Sequence, residues 1–413
     1  MNDLLRFKSG SDIRGTAAEG VEGQPIELTD ERVSRMAKGF VVWLRKRNGD
    51  KRLTVSLGHD SRISAPRLSA CVKKALMESG VDVIFTSLSS TPAMFMTTQL
   101  LGCDGAIQLT ASHHPFNKNG LKFFSVKGGL EGSDIAEILG YAYEGVEEKG
   151  EGTLKDVDFM TTYSKVLVDF VRRETGEVEP LKGYKIVVDA GNGAGGFYVD
   201  SVLKPLGADT DGSQFLDPDG RFPNHIPNPE NPVAMKSICD KVKAVKADFG
   251  IIFDTDVDRA GAVDDLGEEI NRNKLIALIS AILLEEQGGA YIVTDSITSD
   301  GLKKFIEAKG GVHHRFKRGY KNVINEAVRL NAEGKYCPLA IETSGHAALK
   351  ENYFLDDGAY LVTRLLVKMA KLKGEGKKLR DLIADLELPV ESDEIRMGFK
   401  AATLLKPISR AAP

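Results

Sequence analysis

Phe249-Gly250-Ile251-Ile252-Phe253-Asp254-Thr255-Asp256-Val257-Asp258-Arg259 is an apolar run that stops abruptly in three carboxylates and a guanidinium. A short continuous apolar run bounded by polar residues predicts a buried strand. The charges begin at its carboxyl end, where open α/β sheets keep their ligand loops. Left unpaired, such closely spaced carboxylates repel one another and raise one another's pKa. A hard dication relieves that repulsion, and oxygen-only ligands favour Mg²⁺, Mn²⁺ or Ca²⁺. Arg259 adds a planar donor suited to phosphate. An EF-hand is excluded, because Arg259 stands where its loop needs Gly and the flank is a strand. A solvated acidic loop is the plain alternative.

Working outward, the strand–loop–helix pattern recurs on both sides. Upstream, Lys185 to Asp189 reads as a strand that ends in the glycine run Gly191 to Gly196. That run spells G-N-G-A-G-G, not a dinucleotide fingerprint. Between the two strands, Asp217 to Pro229 forms a long turn-rich loop of the kind that is usually functional or disordered. Further upstream, Leu28 to Arg47 predicts a helix capped by Thr29, with Val33, Met36, Ala37, Phe40, Val41 and Leu44 as its apolar face. Strands follow at 53–57, 81–85 and 105–109, with a helix opening at Ser64-Ala65-Pro66. Downstream, helices are predicted at 273–286, 300–309 and 357–373, with strands at 290–294 and 339–341.

The alternation starts three times, so the expected fold is three consecutive α/β domains with mixed, largely parallel sheets and an active-site cleft between them. The charged, Gly-containing stretch Glu144 to Gly152 marks the first boundary. The expected units are 1–152, 153–270 and 271–390, with 391–413 a tail or the truncated start of another domain.

Composition agrees. The chain has 413 residues, 42% hydrophobic and 28% charged, with 55 Lys+Arg against 59 Asp+Glu. A formal net charge of −4 exerts no overall pull on nucleic acid or on an anionic membrane. No apolar run approaches the ~20 residues of a membrane span, and the N-terminus lacks a signal-peptide core. Cys71, Cys103, Cys239 and Cys337 lie far apart with no Cys-x-x-Cys pair, which points away from zinc and disulfides and toward a reducing, cytoplasmic setting.

Four further segments could carry chemistry. Leu109-Thr110-Ala111-Ser112-His113-His114-Pro115-Phe116-Asn117-Lys118-Asn119-Gly120-Leu121-Lys122 follows a strand and places a hydroxyl among histidines and lysines. An adjacent base can make such a hydroxyl a nucleophile or phosphate carrier, although a lone Ser-His pair is more often a capped turn. Glu342-Thr343-Ser344-Gly345-His346 offers a carboxylate, a hydroxyl and an imidazole to vicinal sugar hydroxyls, or is simply a polar turn. Ser9 to Gly15 presents Arg14 between small residues. Phe316-Lys317-Arg318-Gly319-Tyr320-Lys321 is a basic turn before a helix.

Together these segments resemble the α-D-phosphohexomutase family, which includes phosphoglucomutase and phosphomannomutase. The order is Ile13-Arg14-Gly15, then Gly58-His59-Asp60-Ser61-Arg62, then the Ser112 and Lys122 segment, then Asp254 to Arg259, then Glu342 to His346. The resemblance runs from about residue 6 to about residue 395. It implies that Ser112 carries a phosphoryl group, and that Ser112, Asp254, Asp256 and Asp258 hold one Mg²⁺. It further implies that hexose 1-phosphate and hexose 6-phosphate, of glucose or mannose, interconvert through a hexose 1,6-bisphosphate. Arg14 and Lys122 would stabilise charge, and Lys122 or His113 would move the hydroxyl proton. Glu342, Ser344 and His346 would grip the sugar, and Arg259, Arg318 and Lys321 would hold phosphate.

The sequence departs from the family pattern in places. His114 stands where the family usually has Asn, and Ile341 where Gly commonly precedes the sugar-loop Glu. The family's fourth domain, with a loop that clamps the substrate's non-reacting phosphate, has no counterpart after Glu391, so impaired activity is expected. Two competing readings follow. A non-catalytic remnant would bind sugar phosphates without isomerising them. A phosphatase would use Asp254 as nucleophile, since an apolar strand followed by Asp-x-Asp also resembles haloacid-dehalogenase-type phosphotransferases.

Overall fold

The computed structural model describes residues 3–49, 51–145 and 149–389. The expected tail at 391–413 lies outside the described residues. Three sheets succeed one another along the chain. The first runs Lys8–Ser9, Asp12–Thr16, Lys118–Ser125, Gly105–Leu109, Thr54–His59, Asp82–Leu88, Leu154–Asp156, with Gly128–Gly129 pairing beside Lys118–Ser125. The second runs Glu269–Ile270, Ala260–Val263, Phe249–Phe253, Ile186–Asp189. The third runs Val312–Arg315, Tyr291–Thr294, Leu339–Ile341, Ala347–Leu349, Leu355–Asp356. Strand Leu154–Asp156 completes the first sheet, so that unit reaches past residue 152, where its end is expected.

Parallel pairing occupies one side of each sheet, out to its edge, and antiparallel strands form the other side. Gly105–Leu109, Phe249–Phe253 and Leu339–Ile341 each pair in parallel on one side and antiparallel on the other. The antiparallel partner is always the next strand in the chain. The connections between them are therefore hairpin loops, spanning 110–117, 254–259 and 342–346. These are the three segments singled out above. A parallel crossover needs a dozen or more residues, so connections this short can only be hairpins.

Helix Asp30–Asn48 forms with Thr29 accepting from the Arg32 N–H, and it buries Val33, Met36, Ala37, Phe40, Val41 and Leu44. Helix Gly358–Leu372 starts on the Asp357 carboxylate, which accepts from the Tyr360 N–H. The helix opening near Ser64 differs from expectation, because the Ser64 side chain does not cap it. Its hydroxyl instead accepts from the Asn119 amide at 2.9 Å.

The glycine run of the second unit has a packing role. A Cβ on Gly193 would lie 2.6 Å from the Thr255 carbonyl oxygen, and the Ala194 N–H donates to that oxygen at 2.8 Å. The run thus lets one backbone lie directly against the aspartate loop. Among the described residues, no helix is long and apolar enough to cross a membrane. All four cysteines are free thiols; Cys103 and Cys337 are buried and Cys71 and Cys239 half-buried.

The long loop after Asp217 is tied down by a buried pair. His225 Nε2 lies 3.0 Å from both Asp189 oxygens, and Nδ1 lies 3.1 Å from the Ile226 carbonyl oxygen. Both partners only accept, so both ring nitrogens carry protons. Burial alone would lower the His225 pKa, but hydrogen bonding to Asp189 and attraction by it outweigh burial and raise it. A raised folded-state pKa gives stability that is complete below about pH 6.5 and lost as pH climbs through the folded value. His225→Gln is therefore expected to cost more stability at about pH 6 than at about pH 9. Urea denaturation at the two pH values checks this; equal losses would mean the imidazole is neutral.

Candidate functional site

Strand Gly105–Leu109 delivers Ser112 to the junction of the three sheets. Ser112 is 2% exposed and has φ 49°, a left-handed conformation that is costly for a residue with a Cβ. Thr110 Oγ1 accepts from its N–H at 2.9 Å. Its hydroxyl donates to Asp254 Oδ2 at 2.9 Å and accepts from Arg259 Nη2 at 2.8 Å. Arg259 Nη2 also donates to His113 Nδ1 at 2.6 Å. Burial, then Arg259, the neighbouring His114 and Arg14, lower the His113 pKa to about 3, so this ring is neutral near pH 7.

Arg62 holds the loop from beneath. Its side chain is fully buried beside Asp60, with Nε 3.3 Å from Asp60 Oδ2. Nη1 donates to the carbonyls of Pro115 and Lys118 at 2.7 and 2.8 Å. Nη2 donates to those of Ser112 and His114 at 2.5 and 2.6 Å. The sequence flagged Arg62 only through its place in the motif order. Its partners are main-chain oxygens 50 or more residues away, which leave no local signature.

The aspartate loop brings one ligand atom from each of Asp254, Asp256 and Asp258 within 4.8 Å of the others. All three are buried. The loop turns at Val257, whose φ of 67° is a rare conformation for a β-branched residue. Helix Thr91–Leu100 of the first unit points its N-terminus at this loop: the Thr91 N–H donates to the Asp256 carbonyl at 2.8 Å, and its hydroxyl donates to Asp256 Oδ2. Lys122 Nζ donates to Asp258 Oδ2 at 2.6 Å.

Burial, then the neighbouring carboxylates, push Asp254 well above the ordinary carboxylate range and Asp256 above it. Burial also works against ionised Asp258, but Lys122, His346 and Arg259 outweigh it and hold this carboxyl low. Asp256 Oδ1 and Asp258 Oδ1 are buried without a hydrogen-bond partner. Crowded, partly unsatisfied carboxylate oxygens are the donor set a hard dication takes, so these residues fit Mg²⁺.

The third loop closes on the second through the backbone. Arg259 and His346 form an isolated antiparallel bridge, and a Cβ on Gly345 would lie 2.7 Å from the Ala260 carbonyl oxygen. His346 Nδ1 lies 2.5 Å from Asp356 Oδ2 and 3.8 Å from Asp258 Oδ1. Burial disfavours its charged form, but Asp356 and Asp258 outweigh burial and raise its pKa. Ser344 Oγ is buried and unpartnered, and Glu342 Oε1 accepts from the Gly319 N–H at 2.5 Å.

Most of the expected residues thus converge. Arg14 lies near Asp256 and Asp258, with Nη2 2.9 Å from Asp12 Oδ2. The two expected phosphate ligands of the basic turn lie further along the cleft. Arg318 is exposed and acts electrostatically on Asp295, which accepts from Thr343 of the third loop. Lys321 Nζ is bound to the Gly129 carbonyl at 2.9 Å and to Glu131 Oε1 at 2.7 Å.

Comparison with known proteins matches this arrangement to three domain models of phosphoglucomutase/phosphomannomutase: domain I over residues 7–148, domain II over 161–267 and domain III over 271–388. The chain belongs to this phosphohexomutase family. A phosphomannomutase/phosphoglucomutase of Pseudomonas putida is 32% identical over 326 residues, which cover 79% of this chain and 68% of that protein. A phosphoglucomutase/phosphomannomutase of Thermococcus kodakarensis is also 32% identical, over 91% of this chain and 78% of its own length. The crystal structure of a phosphoglucomutase/phosphomannomutase family protein from Burkholderia thailandensis superposes with TM-score 0.78 at 29% identity, covering 94% of this chain and 80% of that one. The family matches the phosphohexomutase class and the three-unit α/β fold expected from the sequence.

Proposed function

We propose that this phosphohexomutase interconverts hexose 1-phosphate and hexose 6-phosphate, with glucose and mannose as the sugars, through a phosphoserine at Ser112. The observation that carries this reading is the Ser112 hydroxyl itself, held between Asp254 and Arg259 where three loops from three sheets meet. In the first half-reaction the phosphoryl group leaves Ser112 Oγ for the free hydroxyl of the hexose monophosphate. That hydroxyl loses its proton, Ser112 Oγ regains one, and a hexose 1,6-bisphosphate results. After the bisphosphate turns over, its other phosphoryl group returns to Ser112 Oγ and the isomeric monophosphate is released.

Phosphoryl transfer needs mainly positioning and charge stabilisation. Arg259 supplies a cationic donor on Ser112, and Arg14 a second cation near Asp256 and Asp258. Lys122, whose cation Asp258 stabilises despite burial, fits a proton donor better than a base. His113 is neutral, but Arg259 already occupies its Nδ1. Ser344 Oγ and His346 Nε2 are the donors left for sugar hydroxyls. Asp254, Asp256, Asp258 and an oxygen on Ser112 would hold Mg²⁺, which supplies charge stabilisation at phosphoryl oxygens. The separated thiols and the absence of a membrane-spanning helix among the described residues support a cytoplasmic setting.

Incubation with glucose 1,6-bisphosphate, followed by peptide mass mapping, is expected to place one phosphate on Ser112. A coupled assay of glucose 1-phosphate to 6-phosphate conversion then separates a mutase from a protein that only binds. No phosphate on Ser112 overturns the mechanism. The metal assignment has its own test in Asp256→Asn, which removes one of three repelling charges while Asn Oδ1 still accepts from Thr91. Without metal this variant is expected to unfold a few degrees above the wild type, and the Mg²⁺-dependent rise in unfolding temperature should largely vanish. An unchanged response to Mg²⁺ would exclude Asp256 as a ligand.

A further inference from the structure

Two residues at the end of the basic turn Phe316 to Lys321 join the third unit to the first. Helix Tyr320–Ala332 starts where this turn ends, and its first two residues reach out of the third unit into the first. The Tyr320 hydroxyl lies 2.5 Å from Ser11 Oγ. Lys321 binds Gly129 and Glu131, and the Asn325 amide donates to Glu131 Oε1 at 3.2 Å. Beside these ties the two units part around a crevice of about 570 Å³, walled by Phe95, Phe124, Ile324 and Tyr353. The seam here thus combines apolar packing, where Phe95 meets Tyr353 edge-on with ring centroids 6.1 Å apart, with these few polar contacts.

Tyr320 also touches the site. Its ring stacks on the His346 imidazole, with centroids 5.3 Å apart and planes 22° apart. Lys122 Nζ lies 5.4 Å from the centroid of the same ring. The N–H of the preceding Gly319 donates to Glu342. One aromatic side chain thus meets the seam at its hydroxyl and both Lys122 and His346 at its ring.

We propose that Tyr320 is a positioning residue that couples docking of the third unit on the first to the alignment of His346 and Lys122 at Ser112. The hydroxyl sets the docking through Ser11, and the ring sets the alignment. This rests on the phosphoserine reading above.

The two roles separate by substitution in the full chain. Tyr320→Phe keeps the ring and loses the tie, so KM for glucose 1-phosphate is expected to rise ~10-fold with kcat within ~3-fold of wild type. Ser11→Ala breaks the same bond and should match it, and the double variant should be no worse than either single one. Tyr320→Leu loses the ring as well, and kcat should fall ~30-fold or more. Thermal unfolding of each variant identifies any loss due to misfolding. Additive effects of Tyr320→Phe and Ser11→Ala, or equal kcat for the Phe and Leu variants, would overturn the proposal. Failure of the phosphoserine reading is distinct, since the wild type itself would then take up no phosphate on Ser112.

Discussion

Ser112→Ala is expected to take up no phosphate from glucose 1,6-bisphosphate and to lose mutase turnover by on the order of 10⁵-fold, the scale seen when a covalent nucleophile is removed. The loss should be nearly pure chemistry. Alanine tolerates φ 49° no better than serine, so the backbone strain at this position is unchanged. The hydroxyl contacts to Asp254 and Arg259 disappear, at a cost of about 1 kcal/mol. Arg259 keeps the His113 and carboxylate contacts, so no buried charge is stranded. The variant should therefore fold, bind hexose phosphate and still respond to Mg²⁺. It also discriminates among mechanisms. A phosphatase using Asp254 would retain activity, because its acyl phosphate never involves Ser112. A protein that only binds sugar phosphates would show the same absence of turnover before and after the substitution. Mass mapping and the coupled assay, run on wild type and variant together, distinguish the three.

What was legible in the sequence was local. Five apolar residues ending in Asp254-Thr255-Asp256-Val257-Asp258 are a strand and its loop wherever they occur, and Phe249–Phe253 forms as expected. Thr29 caps its helix as expected because a cap needs only the next three residues. Ser64 shows where such reasoning stops: its hydroxyl is taken by Asn119, which arrives from another strand. The partner of Lys321 was hidden for the same reason, since nothing near it in the chain announces Glu131. The sheets hold a further lesson. Alternating strands and helices suggest largely parallel sheets, and the strands after 110–117, 254–259 and 342–346, which the sequence did not reveal, return antiparallel because connections this short allow only hairpins. That geometry matters for function, because a hairpin fixes both ends of a site loop in one sheet. The ligand side chains then sit on short, doubly anchored turns.

Arg62→Lys is the second large effect, and it acts through the loop rather than on substrate. The guanidinium fork binds four carbonyls of residues 112–118, with Phe222 of the long loop 5.3 Å from it. A lysine keeps the charge opposite Asp60 but offers one nitrogen, with no fork to span both sides of the loop. At least two buried carbonyls would lose their donor, at roughly 1–3 kcal/mol each, so a loss of about 3–5 kcal/mol is expected. Asp60, whose carboxyl burial already raises to about 6, would be less well compensated by an ammonium set further away. Stability is only part of the outcome. Ser112 occupies its left-handed conformation because Arg62 holds its carbonyl while Thr110 holds its N–H. With the first restraint gone, the loop can relax to ordinary φ, and Ser112 Oγ swings away from Asp254 and Arg259. The rate of Ser112 phosphorylation by glucose 1,6-bisphosphate should then fall by on the order of 100-fold in protein that is still folded. Urea denaturation measures the first effect, and time-resolved intact mass the second. A variant that loses stability but phosphorylates at the wild-type rate would mean that the Ser112 turn is set by the two sheet strands alone. A loss in both would make this buried arginine part of how the nucleophile is aimed.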